Sequence, residues 1–207
     1  MTRAGAAALA VMAAALAWSG WRPADRFTWV LETAPVMLAL PGLALTARRF
    51  PLTPLSYSLA ALHAIVLCVG GHWTYAEVPA GFWVRDALGL ERNHYDRLGH
   101  FVQGFVPAII AREILVRRSP LTGGWWLPFG IGSFCLAFSA LYELIEWWTA
   151  LATGEAATAF LGTQGDPWDT QWDMFLAMVG AIAALTALSG WHDAQMRRGQ
   201  GDGGRGP

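Results

Sequence analysis

Long apolar stretches alternate with short polar ones along this chain, and their lengths indicate the fold class. A helix that spans a bilayer needs about 20 mostly apolar residues. Six stretches come close to this length, which predicts an all-α, polytopic membrane bundle of about six transmembrane helices. They cover approximately residues 4–21, 28–47, 54–74, 96–116, 125–148 and 171–191.

The remaining segments are too short to form a second domain. Polar stretches cover residues 75–95 and 149–170, and we expect residues 1–195 to form a single transmembrane domain. The Gly-rich segment 196–207 predicts a disordered cytoplasmic tail.

The first apolar stretch is also compatible with a signal peptide, because Ala15, Leu16 and Ala17 resemble a cleavage site. Trp18 and Trp21 are typical of interfacial anchors and favour an uncleaved helix.

Composition supports a membrane protein whose main partner is the lipid bilayer. Hydrophobic residues make up 55% of the chain and charged residues only 14%, with a formal net charge of -1. The chain therefore lacks the basic surface that a nucleic-acid-binding protein needs. The sequence leaves its oligomeric state open.

Arginine distribution predicts the orientation of the helices. With a cytoplasmic N-terminus, nine of the 14 basic residues fall on the inner side and five on the outer side. In membrane proteins, short loops on the cytoplasmic side are enriched in basic residues. We therefore predict that both termini are cytoplasmic in a bacterial inner membrane, although Arg85, Arg92 and Arg97 argue against it.

This orientation places most carboxylates at the outer, periplasmic face. Twelve of the 15 acidic residues lie there: Asp25, Glu32, Glu77, Asp86, Glu91, Asp96, Glu143, Glu146, Glu155, Asp166, Asp169 and Asp173. Charged side chains inside a span are costly unless they find partners, water or an ion. We expect those within the spans to face one another.

Helical spacing groups several of these residues. Asp96, His100 and Gln103 follow the i, i+4, i+7 pattern of one stripe, and Glu143 and Glu146 share a face of the next helix. Asp96 with His100, and Glu143 with Glu146, could each place two metal ligands on one helical face, as paired acidic and His residues do in di-metal helix bundles.

The histidines of the third predicted helix fall on opposite faces. His72 and Glu77 lie at the outer end of that helix and join the predicted group. His63 is nine residues before His72, and we interpret it as an interhelical hydrogen-bonding residue outside the group.

The segment 164–173 has the highest density of polar residues in the chain. Helix capping accounts for one or two of its three aspartates. Asp169 and Asp173 are spaced i, i+4 and could face the same cluster.

These patterns predict a divalent-metal site that could support hydrolysis, with one carboxylate as general base if the protein is an enzyme. Mixed carboxylate and imidazole ligands suit zinc, manganese or iron, whereas an all-oxygen set would suit magnesium. The candidate ligands, which exceed what one ion needs, are His72, Glu77, Asp96, His100, Glu143, Glu146, Asp169 and Asp173. The candidates for supporting or substrate contacts are Glu32, Gln103, Gln164 and Asp166.

Two other functions stay open, and the sequence does not decide whether the protein is an enzyme. A solute or ion transporter would use broken helices and internal symmetry. Pro41, Gly42 and Pro107 give weak breaks, but no repeat is found. A structural or accessory membrane protein would use the polar residues to join helix ends. Arg85 and Arg97 could hold an anionic substrate, although solvation in the loops is the simpler interpretation.

Four longer motifs make the sequence similar to a known family. They are GHWTYAEVP (71–79), NHYDRLGHF (93–101), ALYELIEWW (140–148) and LGTQGDPWDTQWD (161–173). With them the chain resembles the YjdF family of bacterial inner-membrane proteins over nearly its whole length. That family carries a domain of unknown function. The resemblance therefore implies a polytopic inner-membrane protein and assigns no catalytic residue.

Overall fold

The computed structural model describes residues 1–121, 124–154 and 158–203, and the regular elements in these ranges are all helical. In chain order they are α1 (Arg3–Ser19), α2 (Arg26–Thr46), α3 (Pro54–Trp73), α4 (Pro79–Leu88), α5 (Tyr95–Arg118), α6 (Trp126–Thr153), α7 (Thr158–Leu161) and α8 (Asp169–Gly203). A single 3-10 turn, Tyr75–Glu77, lies between α3 and α4.

The predicted polytopic all-α bundle is confirmed. Five of the described helices, α2, α3, α5, α6 and α8, are long and apolar enough to cross a membrane. The apolar helix α1 has 17 residues, which gives a length of about 26 Å against a hydrocarbon core of about 30 Å. This first helix is therefore shorter than the other five.

Helix α1 is an integral part of the bundle. Met12 is 1% exposed, Gly5 packs on the ring of Tyr57 in α3, and Trp29 of α2 donates to the Ser19 hydroxyl at 3.0 Å. These contacts hold α1 against α2 and α3.

Capping residues explain where several helices begin. The side chains of Thr2, Asp25 and Thr53 accept hydrogen bonds from backbone N–H groups three residues later, at 3.1, 2.7 and 3.3 Å. Such bonds satisfy N–H groups that the first turn of a helix leaves free. Pro54 opens α3, where its missing N–H costs nothing.

The segment 75–95, predicted only as a polar connection, contains the short helix α4. Its exposed side includes Trp83, Val84 and Leu88. Asn93, which is fully buried, donates from its Nδ2 to the Val78 carbonyl at 3.0 Å and accepts from the Tyr95 N–H at 3.0 Å. A helix of 10 residues is too short for the length of its apolar stretch to distinguish it from a loop.

Helix α8 also extends further than its apolar core. It continues to Gly203, into the segment predicted as a disordered tail, and residues 204–207 lie outside the described residues. Glu155, one of the predicted outer carboxylates, lies outside them as well.

Among the described helices, α5 and α8 share the most extensive contact, and glycines line it. A methyl group on Gly104 would collide with the Ala177 carbonyl, and one on Gly180 with the Phe101 carbonyl. Small residues let two membrane helices approach until their backbones touch. Helix α5 also packs on α3 and α6, which makes it the central helix.

The helices alternate in direction, so residues distant in sequence meet at each end of the bundle. We call the end where α3 and α6 finish and α5 and α8 begin the site end, and the other the opposite end.

At the opposite end the fully buried Glu113 joins three helices. Its carboxylate accepts from the Thr53 N–H at 2.9 Å, the Ser56 hydroxyl at 2.6 Å and Arg117 at 2.6 Å. Nε2 of the buried His192 in α8 lies 3.2 Å from the same carboxylate. Both oxygens have several partners, as a buried charge requires.

The close contact of α5 and α8 gives a stability test. Replacing Gly104 by Ala should force the backbones apart and cost roughly 1–3 kcal/mol of unfolding free energy. Thermal unfolding of the purified protein in detergent measures the effect as a lower melting temperature. The control is Gly190→Ala, since a methyl group there meets open space. Equal melting temperatures for both variants would contradict the proposed packing.

Candidate metal-binding site

The site end contains a buried histidine surrounded by carboxylates from three helices. Nε2 of His100, a residue 5% exposed, lies 3.6 Å from Asp96 Oδ1 on the same helix. It lies 3.8 Å from Glu143 Oε1 of α6 and 3.9 Å from Asp173 Oδ2 of α8. These distances are too long for hydrogen bonds.

The separations are close to those between ligands of one metal ion. Ligand atoms at about 2.0–2.2 Å from a metal in tetrahedral geometry lie roughly 3.3–3.6 Å from one another. The described residues include two overlapping groups in which each residue offers one ligand atom. Within each group these atoms lie within 4.8 Å of one another. The groups are Asp96, His100 and Asp173, and His100, Glu143 and Glu146. We call these five residues the His100 cluster.

Several polar atoms of this cluster have no partner. Glu143 Oε1, Asp173 Oδ1 and His100 Nδ1 are buried and make no hydrogen bond within the described part of the chain. Asp173 is 3% exposed and Glu143 8% exposed. Leaving such groups unsatisfied costs about 1–3 kcal/mol each, and more when they are charged. The cluster therefore has coordination capacity that the surrounding protein does not use.

A small cavity adjoins the cluster on the side of α2 and α3. It offers about 20 Å³ to the centre of a water-sized sphere, and roughly 10–15 Å³ suffices for one water. Its polar lining consists of Glu32, His63, Tyr75, Asp96, His100, Gln103, Tyr142 and Glu146. The cavity can hold a water molecule or an ion beside His100.

A proline in α2 helps to build this cavity. Pro35 has no N–H, so the Leu31 carbonyl one turn earlier lacks its helical partner. The Tyr142 hydroxyl lies 3.5 Å from that carbonyl and donates to Glu32 Oε2 at 2.9 Å. Glu32 is 5% exposed and is fixed by this bond at the edge of the cavity.

Three of the predicted metal ligands, His72, Glu77 and Asp169, lie outside the His100 cluster. The Nδ1 atom of His72 is 2.9 Å from the Ser19 carbonyl, and its ring stacks on Trp18 at a centroid distance of 4.9 Å. Glu77 belongs to the 3-10 turn after α3 and to neither group of potential ligands among the described residues.

The rotation of α3 explains this outcome. His63 and His72 lie on opposite faces, as their spacing predicts, but the face of His63 is the one that lines the cavity. Its Nε2 is buried without a hydrogen-bond partner in the described chain, which differs from the expected interhelical bond.

The other polar candidates lie around the turn that precedes α8. Asp169 Oδ1 accepts from Arg92 at 2.8 Å, and Asp166 Oδ2 accepts from Arg97 at 2.6 Å. Gln164 exchanges hydrogen bonds with the backbone of Asn93, at 3.0 and 2.8 Å. These residues fasten the turn to the start of α5.

The surroundings of His94, which lies just before α5, lower its pKa. Partial burial, together with the positive charges of Arg97 and Arg92, lowers the pKa of His94.

Neither Arg92 nor Tyr142 was selected from the sequence, because no helical spacing links them to the carboxylates. Only the position of Tyr142 directly before Glu143 in the chain gave a hint.

Comparison with known proteins agrees with the membrane fold. Residues 4–194 match the family described as "Predicted membrane protein (DUF2238)". The chain is 54% identical over 183 residues to "Inner membrane protein YjdF" of Escherichia coli (strain K12), covering 88% of each protein. No solved structure matches the chain.

Repulsion among the carboxylates gives a second test. In the presence of a chelator, Asp173→Asn should raise the unfolding free energy by about 1 kcal/mol, since it removes one of several buried carboxyl groups that oppose one another's ionisation. Thermal unfolding of the purified protein in detergent measures this as a higher melting temperature. The control is Asp86→Asn, a mostly exposed residue 2.7 Å from Arg85. A lower melting temperature for Asp173→Asn in chelator would mean that the protein itself compensates this carboxylate.

Proposed function

The chain belongs to the DUF2238 family of predicted membrane proteins, and we propose that it is an inner-membrane protein whose His100 cluster binds a divalent metal ion. The observation that carries this proposal is the meeting of His100 Nε2 with carboxylates of α5, α6 and α8 at 3.6, 3.8 and 3.9 Å. The buried oxygens of Glu143 and Asp173 that have no hydrogen bond within the described residues support it independently.

A cation answers the electrostatic problem of this site. Asp96, Glu143, Glu146 and Asp173 bring four carboxylates around one imidazole. A divalent ion neutralises two of these charges and uses the oxygens that lack donors. One nitrogen and several oxygen ligands suit zinc, manganese or iron better than magnesium.

We further propose that the site performs hydrolysis. A bound metal would polarise a water molecule in the adjoining cavity. If Asp96, His100, Glu143 and Asp173 hold the ion, Glu146, which lines that cavity, stays free to take the proton of this water as general base. The resulting hydroxide would attack the substrate, and the protonated carboxyl would return the proton to the leaving group.

The site end is proposed to face the periplasm. This orientation follows the excess of arginines at the other ends of the helices and keeps both termini cytoplasmic. A substrate would then reach the cluster from the outer surface.

An ion or proton pathway is the second candidate. His63 lies near the middle of α3, so the cavity reaches deep into the bundle. Between it and Glu113, however, Ala60, Ile109 and Ala184 are buried apolar residues on three helices. An apolar layer of this kind interrupts a polar path, which favours a site that opens to one side.

Metal analysis of the purified protein tests the first proposal. We expect a stoichiometric divalent ion in the parent protein. Asp96→Asn and His100→Ala should each lower the metal content at least about tenfold, because each removes one ligand. The control is His72→Ala, since His72 lies outside the cluster and should leave the metal content unchanged. Parent protein without metal, after growth with zinc, manganese, iron or magnesium, would refute the site.

Reporter fusions test the orientation. A phosphatase that is active only in the periplasm should be inactive when fused after Arg198 and active when fused after Glu91. The two positions lie at the opposite end and the site end of the bundle. The reverse pattern would place the His100 cluster on the cytoplasmic side.

A further inference from the structure

Two arginines next to the His100 cluster share a single carboxylate oxygen. Arg92 and Arg97 flank the first residues of α5, and Asp166 comes from the turn before α8. Asp166 Oδ2 lies 3.3 Å from Arg92 Nη1 and 2.6 Å from Arg97 Nη2. Its other oxygen, Oδ1, accepts from the Trp168 N–H at 2.9 Å. One oxygen atom therefore serves two guanidinium groups.

The arginines retain donors that this arrangement does not use. Each guanidinium has five N–H bonds in a planar fork. Nε and Nη2 of Arg92 and Nε of Arg97 are buried and have no hydrogen-bond partner in the described residues. A second acceptor, Asp169, contacts only Nη1 of Arg92, at 2.8 Å. The pair can therefore bind more acceptor atoms than the two aspartates supply.

The arginine pair is connected both to the His100 cluster and to the surface. Asp169 lies one helical turn before Asp173 of the cluster, and Arg97 directly follows Asp96. Toward the outside, the guanidinium carbon of Arg97 is 5.3 Å from the ring centre of Trp172. Trp172 forms an open depression with Trp168 and Gln171, and both tryptophans are substantially exposed.

We propose that Arg92 and Arg97 form a binding subsite for a phosphate-monoester group, and that Asp166 occupies this subsite when no such group is bound. A phosphate monoester carries a charge of about −1.5 to −2 and three acceptor oxygens. Its charge and its several acceptor oxygens suit two planar guanidinium groups better than one shared carboxylate oxygen does. As a substrate subsite this assignment rests on the proposed metal function, but phosphate binding itself does not require the metal.

The competing explanation is that the ion pairs only fasten the turn to α5. The two explanations differ in what removal of the aspartate charge should do. If Asp166 is only a fastener, Asp166→Asn weakens the fold and creates no affinity for anions. If Asp166 occupies an anion subsite, the same change frees the subsite and strengthens phosphate binding.

The test uses the full chain in phosphatidylcholine nanodiscs with a chelator present, so that metal binding plays no part. Equilibrium dialysis measures inorganic phosphate, and mass spectrometry measures retention of phosphatidic acid over phosphatidylcholine. Asp166→Asn should raise the affinity about tenfold, while Arg92→Gln and Arg97→Gln should each lower it about tenfold. Arg85→Gln, which alters an arginine paired with Asp86 on the surface, is the matched control and should change nothing.

The two probes also identify the source of the phosphate. Retention of phosphatidic acid alone indicates a lipid headgroup, and binding of inorganic phosphate indicates a soluble ligand; either supports the subsite. Failure of both probes to bind, or equal binding by all variants, overturns it. A gain of affinity in Asp166→Asn cannot come from partial unfolding, so a stability loss does not obscure the result. Metal content is measured separately, so the metal proposal can fail while this one stands.

Discussion

A carboxylate removed from water must find hydrogen-bond donors or a cation, and this requirement organises both ends of the bundle. At the opposite end, Glu113 obtains its donors from a helix start, a hydroxyl, an arginine and an imidazole. At the site end, Asp173 and Glu143 are also buried, yet each keeps an oxygen that finds no donor among the described residues. The protein can satisfy a buried carboxylate completely, so the unsatisfied ones at the site end indicate a function beyond holding helices together.

Helix α5 links the two ends physically, because it carries both His100 and Glu113. They are 13 positions apart in the sequence, which is about 20 Å along the helix axis. The close approach at Gly104 and Gly180 fixes α8 against α5 between these ends. The Glu113 network and the glycine contacts therefore determine where Asp173 stands relative to His100, and a small shift of α8 would change the ligand separations directly.

Much of this arrangement is present in the sequence, and the missing part has a common cause. Spacing within one helix is fixed by its period, so Asp96 and His100 were placed on one stripe and found together. The rotation of one helix relative to its neighbours depends on packing, and sequence spacing does not contain it. For that reason the sequence predicted His72 in the cluster. In the structure His72 contacts Ser19 instead, and His63 lines the cavity. The pairing of Arg92 and Arg97 with Asp166 depends on how a turn folds back over α5, which no periodicity reports.

Charge balance separates the site end into two layers with different needs. In the outer layer, two arginines face Asp166 and Asp169, so the formal charges cancel without any ligand. In the inner layer, the four carboxylates of the His100 cluster have no arginine or lysine within salt-bridge distance in the described chain. An inner cation would reduce that excess of negative charge. An anion that displaced Asp166 in the outer layer would then meet a less repulsive field from below. The two proposed sites would thus be electrostatically coupled: a cation in the inner layer would favour a phosphate group in the outer one.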